Sequence, residues 1–162
     1  LPLVAEKPEG GLKPRLVVQG GAADHPQFSP DGDWVAYTSS ESTTREAYVI
    51  PYKEPGGKRQ VSSGGASYVR WRSDGRELFY VTPTGDLMAA EIAVRGKALE
   101  VGRIQMLFGG VISGGAPRGY LYDVSLDGQS FIVAQQGIET GKATPLSLTL
   151  VENWTKLLPE TP

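Results

Sequence analysis

The apolar residues of the chain fall into short runs separated by glycine-rich and polar segments. Runs at 34–38, 78–81 and 131–134 each follow an Asp-Gly pair. Because Asp caps its own turn and Gly supplies the positive φ of a tight hairpin, each pair predicts a turn that leads into a strand. The second and third runs are apolar throughout instead of alternating, which favours strands covered on both faces.

Further apolar runs predict the other strands of each unit. Third strands are predicted at 47–50, 87–92 and 146–150, and fourth strands at 59–61 and 105–108. The last unit has no clear fourth strand, whereas a strand-like segment at 14–18 precedes the first unit. No segment has the 3.6-residue apolar period of a helix, so the pattern predicts an all-β chain.

A short phrase is repeated three times along the chain. Gly-Gly-Ala stands at 20–22, 64–66 and 114–116. Each copy leads to an apolar anchor and then to an Asp-Gly pair; the anchors are Phe28, Trp71 and Val124. Successive Asp-Gly pairs are 43 and 53 residues apart. A period of this size with strand-like content is typical of a β-propeller blade.

The repeat predicts three antiparallel, mostly four-stranded blade-like units. Residues 24–66, 67–116 and 117–162 form blades 1, 2 and 3, the last with a carboxy-terminal tail. Residues 1–23 form a segment whose strand completes a neighbouring or closing blade. Closed propellers have four to eight blades, so we expect a partial ring that belongs to a longer protein, or a ring of about six blades completed by a second copy.

Composition excludes several classes of function. The formal net charge of the 162 residues is −2, with no run of like charges, which argues against a nucleic-acid or anionic-membrane binder. The chain has no cysteine, so a disulfide framework and a thiolate metal site are impossible. No apolar run is long enough to span a membrane as a helix.

No catalytic constellation is recognisable. The single histidine, His25, lies inside the repeated phrase, where a structural role at the strand entry is expected. No Gly-x-Ser-x-Gly elbow occurs, and Asp31, Asp74 and Asp127 are each expected to cap a turn. The glycine-rich segment 109–115 lacks the Lys-Ser/Thr of a phosphate loop and is expected to connect two blades. We therefore predict no enzymatic activity, no cofactor and no metal.

The innermost strands carry the candidate binding residues. The residue before each apolar anchor is polar: Gln27, Arg70 and Asp123. Alternation places these three opposite the anchors, where they can face a central channel and bind a polar ligand or peptide. The alternative is an Arg70–Asp123 ion pair that only links neighbouring blades. Arg118 and Tyr120 are further candidates, because exposed basic and aromatic groups are enriched at interfaces.

Residues 25–32 and 34–37 resemble the repeat of TolB-type, WD-like bacterial propellers, also called PD repeats. The later units depart from that repeat, with Arg72-Ser73 and Ser125-Leu126 in place of Ser-Pro. Residues 85–158 resemble the carboxy-terminal blades of large bacterial sensor proteins, in the segments 85–88, 105–108, 122–131 and 151–155. In that family the propeller follows a serine/threonine kinase domain or a winged-helix regulator.

The resemblance implies a non-catalytic module that binds a protein, a peptide or another ligand within a larger bacterial signalling protein. Two alternatives stay open: an accessory propeller of a prolyl-oligopeptidase-like hydrolase, and a purely structural oligomerisation element. A protein or peptide partner and a homodimer that completes the ring are the expected assemblies, without nucleic acid or membrane contact. We favour an extracytoplasmic, periplasmic location over the cytoplasm.

Overall fold

The computed structural model describes residues 16–18, 21–53, 56–111, 121–139, 142–152 and 154. In these ranges the chain forms eleven β-strands and no α-helix. The strands make three antiparallel sheets, each of which keeps its strands in chain order. The expected all-β fold is confirmed.

Each sheet corresponds to one blade. Blade 1 contains β1 (Ala23–Phe28), β2 (Trp34–Ser39), β3 (Glu46–Pro51) and β4 (Arg59–Gln60). Blade 2 contains β5 (Ser67–Trp71), β6 (Glu77–Val81), β7 (Leu87–Arg95) and β8 (Ala98–Phe108). Blade 3 contains β9 (Tyr122–Val124), β10 (Ser130–Glu139) and β11 (Lys142–Glu152). The first strands of adjacent blades contact one another, β1 against β5 and β5 against β9, as the inner strands of a propeller do.

The segment before blade 1 differs from the expectation. A strand was predicted at 14–18, but residues 16–18 belong to no sheet, and 14–15 lie outside the described residues. Val18 instead packs against an apolar cluster on the outer face of blade 1 that includes Val35 and Tyr37. Apolar side-chain contact, not a strand ladder, holds this part of the segment. Its role in completing another blade stays a prediction.

The hairpin of blade 2 is longer than its apolar runs indicate. β7 extends to Arg95, and β8 begins at Ala98. The turn between them contains Gly96, whose φ is 62°. Register pairs Ile92 with Val101 and Val94 with Leu99. The charged residues of this region obscured the strand pattern, although Ile92, Leu99 and Val101 pack into the apolar layer between blades 1 and 2.

The three Asp-Gly turns have the same geometry. The glycine N–H donates to the carbonyl oxygen three residues earlier at 2.9, 3.0 and 2.8 Å for Gly32, Gly75 and Gly128. Their φ values are 71°, 72° and 71°, a region that side chains rarely adopt. Glycine is therefore the favoured residue at each position.

The aspartates cap these turns as predicted. Asp31 accepts hydrogen bonds from the Ser29 hydroxyl and the Asp33 N–H, at 2.5 and 3.0 Å. Asp127 has the corresponding partners, the Ser125 hydroxyl and the Gln129 N–H, at 2.5 and 2.9 Å. The serine hydroxyl bond is the main reason that the pKa values of both aspartates are lowered, and the backbone donor adds to the effect.

We expect these two aspartates to make the fold sensitive to acid. Their folded-state pKa lies below the ordinary value near 3.9, so their stabilisation is complete above that pH and is lost as the pH falls through the folded value. The Asp31→Asn, Asp127→Asn double variant should lose less of its urea midpoint than the wild type between pH 6 and pH 3. A Ser29→Ala, Ser125→Ala variant removes the same hydroxyl donors and should flatten the pH dependence in the same direction. An unchanged slope in both variants would contradict this assignment.

Two apolar layers join the blades. Between blades 1 and 2 the layer includes Trp34, Trp71 and Leu78. Between blades 2 and 3 it surrounds Phe131, whose ring makes edge contacts with Phe79 at 5.1 Å and Trp154 at 6.1 Å between centroids. Trp154 is 5% exposed, and its indole N–H donates to the Gly128 carbonyl at 3.2 Å.

A buried glutamate joins blade 1 to the segment that enters blade 2. Glu46 is 4% exposed, and one carboxyl oxygen accepts the N–H groups of Gly64 and Gly65, both at 3.0 Å. The other carboxyl oxygen accepts the Ser62 hydroxyl. Both glycines have positive φ, 92° and 111°, so the repeated Gly-Gly phrase acts here as a backbone cradle for a carboxyl group.

The backbone bond that follows this glycine pair recurs in blade 2. The Ala66 N–H donates to the Arg45 carbonyl at 2.8 Å, and the Val111 N–H makes the same bond to the Gly85 carbonyl at 2.9 Å. Gly109–Gly110 is thus the structural counterpart of Gly64–Gly65, whereas 114–116 lie outside the described residues.

Removal of the Glu46 carboxyl group should destabilise the protein strongly. Glu46→Ala leaves three donors, two of them buried, without their acceptor, and we expect a loss of about 3 kcal/mol in the free energy of unfolding measured with urea. Glu46→Gln keeps one acceptor oxygen and should lose less. Glu100→Ala, at an exposed glutamate, is the matched control and should change stability by less than about 0.5 kcal/mol. Equal effects of Glu46→Ala and Glu100→Ala would refute the role of the cradle.

Candidate functional site

The inner strands of blades 1 and 2 share a bulge. The pairing register shifts between Asp24 and Gln27 in β1 and between Ser67 and Arg70 in β5. Within each bulge one non-glycine residue has positive φ: His25 at 53° and Tyr68 at 58°. Bulges re-aim side chains, and these two occupy equivalent places in their blades.

The bulges bring His25 and Tyr68 together. Their ring centroids lie 4.6 Å apart in an edge arrangement. The Thr38 hydroxyl donates to the Asp24 carbonyl at 3.2 Å. Because that hydroxyl has no second proton, the His25 Nδ1, at 3.3 Å, donates to the Thr38 oxygen. Burial has the largest effect on the His25 pKa and lowers it. The nearby Asp24 carboxylate raises the pKa by a smaller amount. These contacts support the structural role expected for His25.

The predicted polar residues converge on one cavity. It has a volume of about 320 Å³ and lies where β1, β5 and β9 run into their Asp-Gly turns. Gln27, Arg70 and Asp123 all line it, one from each blade. The remaining lining residues are Phe28, Pro30, Trp71, Ser73, Val124, Ser125 and Leu126.

Gln27 and Arg70 each make a contact between blades. The Gln27 side-chain oxygen accepts the Trp71 N–H at 2.8 Å, which ties blade 1 to blade 2. The Arg70 Nε lies 3.6 Å from an Asp123 carboxylate oxygen, which ties blade 2 to blade 3. The linking alternative is therefore present in the structure. The Asp123 side chain is 63% exposed, however, and Arg70 is 23% exposed, so the carboxylate also faces the cavity and solvent.

Phe28 differs from the other two anchors. Phe28 is 54% exposed, whereas Trp71, at the same place in the next blade, is 5% exposed. Trp71 lies in the apolar layer between two blades. No described blade precedes blade 1, so the Phe28 ring is covered on fewer sides and contributes apolar surface to the cavity.

Other links between the blades were missed at the sequence level. The Tyr122 hydroxyl donates to the Tyr68 carbonyl at 2.8 Å. Arg72 donates to the Asp127 carbonyl at 3.3 Å, and the Ser73 hydroxyl donates to the Leu126 carbonyl. The sequence feature that could have indicated these links is Arg72, which stands where the other two turns have Ser29 and Ser125. Arg118 and Tyr120, the other candidates, lie outside the described residues.

The described part of the chain shows neither a metal cluster nor a membrane-spanning helix. It contains no group of three or more His, Cys, Asp or Glu side chains arranged to hold a metal ion. Nor do the described residues form a helix that is long and apolar enough to cross a membrane.

Comparison with known proteins identifies the fold. No protein-family model and no curated protein matches the chain. TolB from Acinetobacter baumannii superposes with a TM-score of 0.52 over 78% of this chain and 29% of TolB, at 15% identity. An oligogalacturonate lyase from Vibrio parahaemolyticus superposes with a TM-score of 0.49 over 67% of this chain and 27% of the lyase, also at 15% identity. The chain has a TolB-like β-propeller fold and spans less than a third of either structure.

Stability measurements should separate the two contacts at the cavity. Gln27→Leu removes the acceptor of the Trp71 N–H and should cost about 1–2 kcal/mol of unfolding free energy. Neutralising the ion pair with Arg70→Gln and Asp123→Asn should cost less than about 1 kcal/mol, because the carboxylate is exposed and screened. The Arg95→Gln, Glu100→Gln variant removes a more exposed pair at 3.1 Å and serves as the control. A cost above about 2 kcal/mol for the Arg70–Asp123 pair would assign it a mainly structural role.

Proposed function

We propose that this chain is a non-catalytic propeller module that binds a protein or peptide at the cavity lined by Gln27, Arg70 and Asp123. The observation that carries the proposal is the convergence of one polar residue from each blade on a single cavity. The wall also holds apolar surface from Phe28 and Leu126, which are 54% and 86% exposed. A few polar groups within apolar walls are typical of ligand sites.

The exposed groups indicate the chemistry of the ligand. Asp123 carries an exposed carboxylate, which can accept N–H groups of a peptide backbone or a basic side chain while it stays near Arg70. Arg70 offers a guanidinium to ligand carbonyl or carboxylate oxygens. The cavity volume of about 320 Å³ accommodates a few peptide residues. We therefore expect an extended peptide segment with amide and basic groups.

The proposal extends to a longer protein of which this chain would be one part. The chain spans 29% of the TolB structure that it resembles, and its later segments resemble the carboxy-terminal blades of bacterial sensor proteins. We infer a role as the sensor or scaffold part of a larger bacterial signalling protein with a PD-repeat propeller, located outside the cytoplasm. The kinase or regulator that accompanies such propellers would then be supplied by another part of that protein.

Selection from a random peptide library displayed on phage tests the binding function. Enriched sequences would be synthesised and titrated calorimetrically into the wild type and the Arg70→Gln, Asp123→Asn variant. We expect the variant to bind at least tenfold more weakly, because both charges that face the ligand are removed. Its urea midpoint should stay close to that of the wild type.

The Arg95→Gln, Glu100→Gln variant is again the matched control and should keep wild-type affinity. Equal affinity in both double variants would place the peptide elsewhere on the molecule. A library from which no peptide binds the wild type would contradict the proposed function itself.

A further inference from the structure

A second set of equivalent residues lines the proposed peptide cavity. Pro30, Ser73 and Leu126 each stand directly before the aspartate of an Asp-Gly turn, one in each blade. All three line the cavity that also holds the polar residues of the inner strands. Leu126 is 86% exposed, the highest value among the large apolar side chains that the structure describes. These three positions therefore form a rim at which the most exposed apolar side chain belongs to blade 3.

The turn that carries Leu126 is fastened to the turn of blade 2. The Ser73 hydroxyl donates to the Leu126 carbonyl, and the Arg72 guanidinium donates to the Asp127 carbonyl at 3.3 Å. Arg72 also donates to Glu77 at 2.9 Å, and the Glu77 side chain is only 14% exposed. The backbone of Leu126 is therefore held in place, although its side chain is exposed.

The glycines of the turns show how closely neighbouring turns approach. A Cβ atom added at Gly128 would lie 2.6 Å from the Arg72 Nε. A Cβ atom added at Gly75 would lie 3.8 Å from the Pro30 ring. The three turns thus stand side by side along the cavity, and the turns of blades 2 and 3 are the more closely packed pair.

Position and hold distinguish Leu126 from an ordinary exposed leucine. Single exposed apolar residues are common on protein surfaces and need no function. Leu126 lies on the wall of a cavity with Phe28, Pro30 and Val124, where apolar surface is gathered beside charged groups. Ligand sites have this composition, and a backbone that is ordered before binding reduces the entropy lost on association.

We propose that Leu126 determines the specificity of the peptide site, because it selects a large aliphatic or aromatic side chain near the basic group of the ligand. This inference rests on the proposed function, in which Asp123 accepts the basic group. Asp123 and Leu126 line the same cavity and are three residues apart in one blade. A peptide that reaches Asp123 therefore brings its neighbouring side chains to Leu126. Burial of two apolar side chains against each other stabilises the complex.

Arg72 and Ser73 are positioning residues in this site. They act through the backbone of the third turn, which they hold at the rim. Blades 1 and 3 have Ser29 and Ser125 where blade 2 has Arg72, so the arginine is not needed to form an Asp-Gly turn. This difference allows the hold on Leu126 to be removed while the turn itself is kept.

A double-mutant cycle between protein and peptide tests the specificity. The tightest peptide from the phage selection would be made in two forms, one with its large apolar residue intact and one with that residue changed to alanine. Leu126→Ala should weaken the intact peptide about fivefold or more, because an apolar contact is lost. The affinity for the alanine form should change by less than about twofold, because that form lacks the contact. Calorimetric titration gives all four dissociation constants.

Leu148→Ala is the matched control. Leu148 is 75% exposed on β11 of the same blade and does not line the cavity, so its loss should change neither affinity. Both leucines are exposed, so circular dichroism and the urea midpoint should show an intact fold in both variants. Selected peptides without a large apolar residue would overturn the inference, as would an equal effect of Leu126→Ala on the two peptide forms.

Arg72→Ser and Ser73→Ala test the hold on the third turn. Each should reduce the preference for the intact peptide over its alanine form about twofold or more, because Leu126 is then less ordered before binding. A role in stability alone would lower the urea midpoint and leave this preference unchanged. An unchanged preference in both variants would therefore refute the positioning role.

The outcomes separate this inference from the proposed function. If no peptide binds the wild type, both are refuted. If peptides bind and depend on Arg70 and Asp123 but not on Leu126, only the inference is refuted and the binding function stands.

Discussion

The fold depends on the burial of both faces of each sheet between neighbouring blades. Along β6, Leu78 and Tyr80 pack toward blade 1, while Phe79 and Val81 pack toward blade 3. The side-chain period of two therefore assigns alternate residues to two different interfaces, and not to an inside and an outside. A strand that is packed on both sides has to be apolar at successive positions, as β6 is from Leu78 to Val81. The continuous runs in the sequence and the exposed aliphatic side chains of blade 3 have this common cause.

The polar residues of the inner strands work within that constraint. The apolar layers leave backbone groups unpaired where one inner strand passes the next, and polar side chains reach across to them. Gln27 accepts a backbone N–H of blade 2, and Tyr122 donates to a backbone carbonyl of blade 2. Asp123 is exposed beyond its contact with Arg70. Blade contact and the proposed ligand binding thus share one row of residues, and the proposed site requires no side chain that the fold itself does not position.

The two repeated phrases of the sequence differ in what holds them in place. The Asp-Gly pairs specify the same turn three times, because φ and the hydrogen bonds of such a turn are set within a few residues. The Gly-Gly phrase depends on contacts that are distant in sequence. Gly64–Gly65 cradles Glu46, which is distant in sequence, and the corresponding bond in blade 2 is made beside Gly109–Gly110. Because the glycines hold a carboxyl group that is distant in sequence, no local residue spacing identifies the cradle.

By itself the sequence determined the all-β class, the three turns and the polar residues that precede each anchor, because these depend on local conformation and on a period of two. Tertiary structure decided which residues meet. It buried Trp71 and left Phe28 exposed, since only one of these equivalent anchors has a blade on both sides. It also placed Gln27, Arg70 and Asp123 around one cavity, because inner strands that lie far apart in sequence become neighbours only when the blades pack.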